Sequence, residues 1–133
     1  MLILDTHVLV WLDEGNPRLG TQALEAIDHA LADGQLGVAT ISFWEIGMLV
    51  EKGRLEIQTE LDTWRVELLK NGLIEIPLDG PTALCAAQLD DFHGDPADRL
   101  IVATALKTSA TLVTADRRIL SWDKLSRKLE ATQ

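Results

Sequence analysis

The chain opens on Met1-Leu2-Ile3-Leu4, four apolar residues without helical spacing, with Asp5 and Thr6 directly after them. Such a run reads as a short strand covered on both faces, the condition of a strand inside a parallel sheet. In open α/β sheets ligands collect just beyond the carboxyl ends of the strands, so Asp5 stands where chemistry is usually done. Aspartate is also among the best helix N-caps, and this stretch alone leaves both roles open.

The alternation continues along the chain. Leu36-Gly37-Val38-Ala39-Thr40, Leu73-Ile74-Glu75-Ile76 and Thr111-Leu112-Val113-Thr114 read as further short strands. Helical stretches separate them. Residues 6–12 are apolar on every side if helical and are ended by Asn16-Pro17, while in 19–32 Leu24, Ile27 and Leu31 repeat at i, i+3 and i+7. Ser42 begins a helix over 42–51, and Leu61, Trp64, Leu68 and Leu69 stripe another. Gly80-Pro81 and Asp95-Pro96 each open one more. A last strand at 127–129 has the weakest pattern. Strands spaced by helices require crossover connections, so the expected fold is a three-layer α/β/α sandwich around a mainly parallel sheet of four to five strands. Residues 1–133 are enough for one domain with its own core.

A net charge of −9 argues against binding nucleic acid by bulk electrostatics. The distribution is uneven: residues 1–98 hold 18 acids and 5 bases, and residues 99–133 hold 3 acids and 7 bases. The lone Cys85, on an apolar helical run, has no disulfide partner and fits a reducing cytoplasm. No secretory leader is expected, and the longest apolar region, 38–50, is interrupted by Glu45, so no membrane span is expected.

The acids have local explanations. Ser42-Phe43-Trp44-Glu45 fits a capping box, Asp95-Pro96-Ala97-Asp98 a helix start with Asp at N-cap and N3, and Asp116 a cap for a helix at Arg117. Taken together they suggest something else. Asp5 and Asp116 follow strands, and Glu45 and Asp98 are expected in the first turns of helices, so all four converge on the carboxyl edge if their elements are neighbours. Two carboxylates about 5 Å apart repel by roughly 3 kcal/mol at an effective dielectric of 20. Four would protonate or recruit a divalent cation, and oxygen-only ligation suits Mg²⁺ or Mn²⁺. Zinc is disfavoured: His7, His29 and His93 are not spaced i, i+4 and there is no cysteine pair. No phosphate-cradling glycine loop is present.

With these motifs in view, the sequence resembles the PIN domain, and within it the VapC-type toxin nucleases of bacterial toxin–antitoxin pairs. The likeness rests on Leu4-Asp5-Thr6-His7, Ser42-Phe43-Trp44-Glu45-Ile46, the block from His93 through Asp95, Asp98 and Arg99 to Ala103, and Leu112-Val113-Thr114-Ala115-Asp116, in that order. It implies that Asp5, Glu45, Asp98 and Asp116 bind the metal, with Thr6 and Thr114 as hydroxyl partners and Asp95 as a cap rather than a primary ligand. It also implies RNA as substrate, Mg²⁺ or Mn²⁺ as cofactor, 5′-phosphate and 3′-hydroxyl products, a VapB-type antitoxin as partner and a homodimer. Arg99, Arg117 and Arg118 lie next to the acids and are candidates for holding flanking phosphates, or else surface ion pairs. Trp11 and Trp44, if exposed together, would line an antitoxin groove. Two rivals remain: an inactive binding module of the same fold, and a phospho-aspartate receiver domain. The receiver needs its acceptor at a central strand end, an acid pair earlier in the chain and a lysine after a late strand; Asp5 has no adjacent acid, and no lysine directly follows the strand at Val113.

Overall fold

A computed structural model describes residues 1–133. Five strands, β1 (Leu2–Leu4), β2 (Leu36–Ala39), β3 (Ile74–Ile76), β4 (Thr111–Thr114) and β5 (Lys128–Glu130), form one sheet in the order β3-β2-β1-β4-β5. Every pairing is parallel. Leu4 pairs with Val38 on one side and Val113 on the other, so the three central strands end in register and deliver Asp5, Thr40 and Asp116 to one edge.

The short strands alternate between two cores. Leu4, Val38 and Val113 face Val8, Leu9, Ile27, Ile46 and Trp64. These come from α1 (Thr6–Glu14), α2 (Thr21–Ala32), α3 (Thr40–Glu51) and α4 (Leu61–Lys70). Ile3, Ala39 and Leu112 face the other way, onto Ile101, Val102, Ala105, Ile119 and Trp122. That layer is built from α6 (Pro96–Thr108) and the short α7 (Arg117–Leu120), with α5 (Gly80–Ala87) packed on α6. The sandwich is therefore the expected one.

Three boundaries differ from the sequence reading. α1 stops at Gly15, whose left-handed backbone (φ 65°) lets its N–H bond back to Leu12 and Trp11, one residue before Asn16-Pro17 acts. α3 begins at Thr40 instead of Ser42. Its N-cap is Ala39, without a side-chain bond, so the capping box does not form and Glu45 lies in the second turn. The fifth strand is present at Lys128–Glu130, paired with Leu112, Val113 and Thr114.

Candidate active site at the carboxyl edge of the sheet

Asp5 is almost fully buried, with 5% of its surface exposed, and both its oxygens are engaged. Oδ1 accepts the Thr6 N–H at 2.8 Å, which caps α1, and Oδ2 accepts the Thr114 hydroxyl at 2.7 Å. Thr6 extends the network. Its Oγ1 donates to Glu45 Oε1 at 2.5 Å and lies 2.9 Å from the Ser42 hydroxyl. The Ser42–Glu45 pair, read in sequence as a local cap, is thus turned toward α1. Thr114 reaches the other way, its Oγ1 accepting the Asp116 N–H at 3.0 Å.

The α6 start supplies the second half. Asp95 caps the helix, with Oδ1 accepting the Asp98 N–H at 3.1 Å. Asp98 is itself buried, at 8% exposure, and His93 Nε2 sits 2.8 Å from its Oδ2. Glu45, Asp95 and Asp98 each present an oxygen, and these oxygens all lie within 4.8 Å of one another. Arg118 Nη2 bridges Asp98 Oδ2 at 3.4 Å and Asp116 Oδ2 at 3.2 Å. Asp116 Oδ1 caps α7 through the Arg118 N–H at 2.8 Å. The structure therefore links Asp5, Glu45, Asp98, Asp116, Thr6 and Thr114 in one contiguous network, and adds Asp95 to the carboxylate cluster.

Electrostatics follow from this crowding. Burial pushes the Asp5 carboxyl above its usual range, and the nearby Asp98 charge adds to that. Burial likewise raises Glu45, helped by Asp5, Asp98 and Asp95. Asp98 is raised by burial and by Asp95 and Asp116, against the opposing His93 hydrogen bond. Asp116 differs: burial pushes it up, but hydrogen bonds from the Arg118 side chain and backbone outweigh that and hold it low. Glu45 and Asp98, both held partly against ionisation, meet at one point with Asp95, while Asp5 and Asp116 join that group through Thr6, Thr114 and Arg118; oxygen donors of this kind suit a hard divalent cation.

The arginines separate. Only Arg118 touches the cluster. Arg117 Nη2 pairs at 2.8 Å with Glu130 on β5. Arg99 turns away toward α5 and the loop after it. Its Nε donates to the Ala86 carbonyl at 2.9 Å, and Nη1 donates to Phe92 and His93 at 2.9 and 3.1 Å. Nη2 donates to Ala87 and Leu89 at 3.3 and 3.0 Å. The tryptophans separate as well. Trp44 is 59% exposed on α3, whereas Trp11 is half-buried on α1 and lines a groove of which Trp44 is not a part. Trp64 and Trp122 are buried, their indole N–H groups bonded to Asp13 Oδ2 and the Asp90 carbonyl.

Two members of the network, Ser42 and His93, are given no site role by the sequence: Ser42 reads there as a cap, and His93 only as part of a motif. The signal for His93 was its place just ahead of Gly94-Asp95-Pro96, where the chain bends back onto the first turn of α6.

The structure is a small α/β/α sandwich with an all-parallel five-stranded sheet that gathers acidic side chains at its strand ends. The chain belongs to the PIN-domain family, whose model matches residues 2–125. It is 37% identical over 120 residues to Ribonuclease VapC22 of Mycobacterium tuberculosis, an alignment covering 90% of each chain. In fold it is similar to a toxin–antitoxin complex from Klebsiella pneumoniae, with TM-score 0.70 at 16% identity over 98% of both chains. It is also similar to VapBC2 from Rickettsia felis bound to a DNA fragment from its promoter, with TM-score 0.68 at 16% identity, covering 96% of this chain and 95% of that one. No helix is long and apolar enough to cross a membrane.

Proposed function

We propose that this protein is a divalent-metal-dependent endoribonuclease, the toxin of a toxin–antitoxin pair. The carrying observation is the gathering of desolvated carboxylates from α3, α6 and the ends of β1 and β4 at one edge, with Thr6 and Thr114 tying them together. The 37%-identical ribonuclease relative supports the same reading.

In this reading Asp5, Glu45, Asp98 and Asp116 hold the metal, with Asp95 at the rim. When bound there, Mg²⁺ or Mn²⁺ supplies acidified water and offsets charge on the departing oxygen of a phosphodiester. The remaining work falls to the chain. Thr6 keeps its proton on the Glu45 carboxylate and Thr114 keeps its own on Asp5, so neither acid swings out to solvent. His93 fixes the Asp98 carboxylate. Of the three arginines next to the acids in sequence, Arg118, exposed at the edge, is the one placed to meet a phosphate oxygen. Arg117 and Arg99 have other partners.

The toxin–antitoxin neighbours support a VapB-type protein as the partner; a cytoplasmic location and a homodimer complete the proposal. Trp44, exposed beside Glu45, keeps its assignment to the antitoxin contact.

The test is incubation of purified protein with RNA and Mg²⁺ or Mn²⁺, with a chelator in parallel. Fragments bearing 5′-phosphate and 3′-hydroxyl ends, formed only with metal, are expected. Cleavage that persists in chelator and leaves 2′,3′-cyclic phosphates would mean attack by the ribose hydroxyl and would overturn the reading.

A further inference from the structure

Beside the acidic edge, α1 and the end of α3 enclose a groove of about 320 Å³. Thr6, the residue that holds Glu45, and His7 are among the residues that line it. Its walls include Trp11, Arg18 and Arg54. The groove therefore shares Thr6 with the site, and it differs from it in charge. Residues 1–98 contain only 5 bases against 18 acids, yet two of those bases line this one groove. All the ion pairs of the chain involve other side chains, so neither Arg18 nor Arg54 is spent on a carboxylate. The one acid in the groove, Glu14, is engaged by Asn16 Nδ2 at 2.9 Å.

Trp11 supplies the other element. It is half-buried against the core, so its ring is held in place, and the Arg18 guanidinium lies 5.8 Å from the ring centre. A fixed indole beneath an unpaired guanidinium, flanked by a second arginine, is a platform for an unstacked base with its phosphates. Duplex RNA cannot use it, because its bases are stacked and paired. An apolar protein segment gains little from two unpaired arginines at the groove wall.

We propose that this groove is the subsite for the nucleotide next to the scissile phosphate of a single-stranded RNA. Its base stacks on Trp11 and its phosphates lie at Arg18 and Arg54. The inference rests on the ribonuclease reading and names where that substrate is gripped. It makes the protein a reader of single strands, with base tolerance set by stacking and not by hydrogen bonding.

Fluorescence anisotropy with a short labelled single-stranded RNA of mixed sequence, in Ca²⁺ to suppress turnover, tests the proposal. Trp11→Ala should weaken binding about tenfold, and Trp11→Phe should recover most of the loss. Arg18→Ala combined with Arg54→Ala, both at exposed positions, should lower the salt dependence of log K by about 1.4, the loss of two phosphate contacts. The Mn²⁺-induced melting shift should match the parent in every variant. Parental RNA affinity and salt slope in the Arg18/Arg54 variant, with cleavage intact, would overturn the groove and leave the nuclease reading standing. Retained RNA affinity with lost capture of a purified antitoxin would give the groove to a protein partner and also overturn it. A parent that neither binds nor cleaves RNA would overturn the nuclease reading itself, and the groove with it.

Discussion

Asp5→Asn is expected to lower RNA cleavage on the order of 10³-fold, the loss of several kcal/mol of metal-dependent stabilisation, while the variant stays folded. The substitution keeps shape and keeps an oxygen to accept the Thr6 N–H, so the α1 cap survives. The new amide faces the Thr114 hydroxyl, which loses its acceptor, a cost of about 1 kcal/mol. Removing a charge that burial disfavours offsets that cost. Asp95→Asn is the matched control. Its capping oxygen toward Asp98 survives too, but Asp95 is exposed, so loss of its charge from the rim should cost only about tenfold. Cleavage rates measured side by side, with melting curves, decide the matter. Equal collapse in both variants would place Asp95 among the primary ligands; parental activity in Asp5→Asn would remove Asp5 from them.

Arg99→Lys is expected to destabilise the protein by about 2–4 kcal/mol, through loss of charge-assisted hydrogen bonds that an ammonium cannot replace. The Arg99 fork satisfies five carbonyls between Ala86 and His93, closing the C-terminus of α5 and the loop that presents His93 to Asp98. Lysine has three donors on one point and cannot span that set. Urea unfolding gives the stability, and RNA affinity at a temperature where the variant is folded gives the second reading. If Arg99 instead met substrate phosphates, stability would hold within 0.5 kcal/mol and RNA affinity would fall.

Much of the fold was legible because it rests on short apolar runs. Apart from their first residues, Leu2 and Thr111, the strands Leu2–Leu4, Leu36–Ala39 and Thr111–Thr114 are buried, and burial on both faces writes itself into composition. β5 was faint for the opposite reason. Lys128 and Glu130 flank Leu129 on a half-buried edge strand, which is fixed by its register on β4 more than by its own residues. Among the acids, position in the fold was readable but partners were not. Ser42 and Glu45 match a local capping pattern in sequence, but α3 begins at Thr40, which leaves both free to meet Thr6 from α1. Arg99 shows the same limit. Neighbours on a helix do not share a face, so adjacency to Asp98 carried no information about where the guanidinium points. His93 and Asp95 joined the site through a loop bend that hydrophobic periodicity does not encode.

The central claim is that these carboxylates form one metal site, and thermal melting with and without Mn²⁺ tests it most directly. Asp5, Glu45 and Asp98 have folded pKa values above their unfolded ones. In chelator the folded state therefore holds protons that the unfolded chain has released. Stability contributed by these groups falls as pH rises from the ordinary carboxylate range through the raised folded values. Asp116, held low, acts in the opposite sense, and its contribution is lost as pH falls through its folded value. At neutral pH the site is then under strain in chelator, and Mn²⁺ at 100 times its dissociation constant should add about 2.7 kcal/mol, on the order of 10 °C. Asp98→Asn should lose most of that gain, and the parent's gain should shrink as pH is lowered through the same window. Equal melting temperatures with and without Mn²⁺ in the parent, or a full shift retained in Asp98→Asn, would contradict the account.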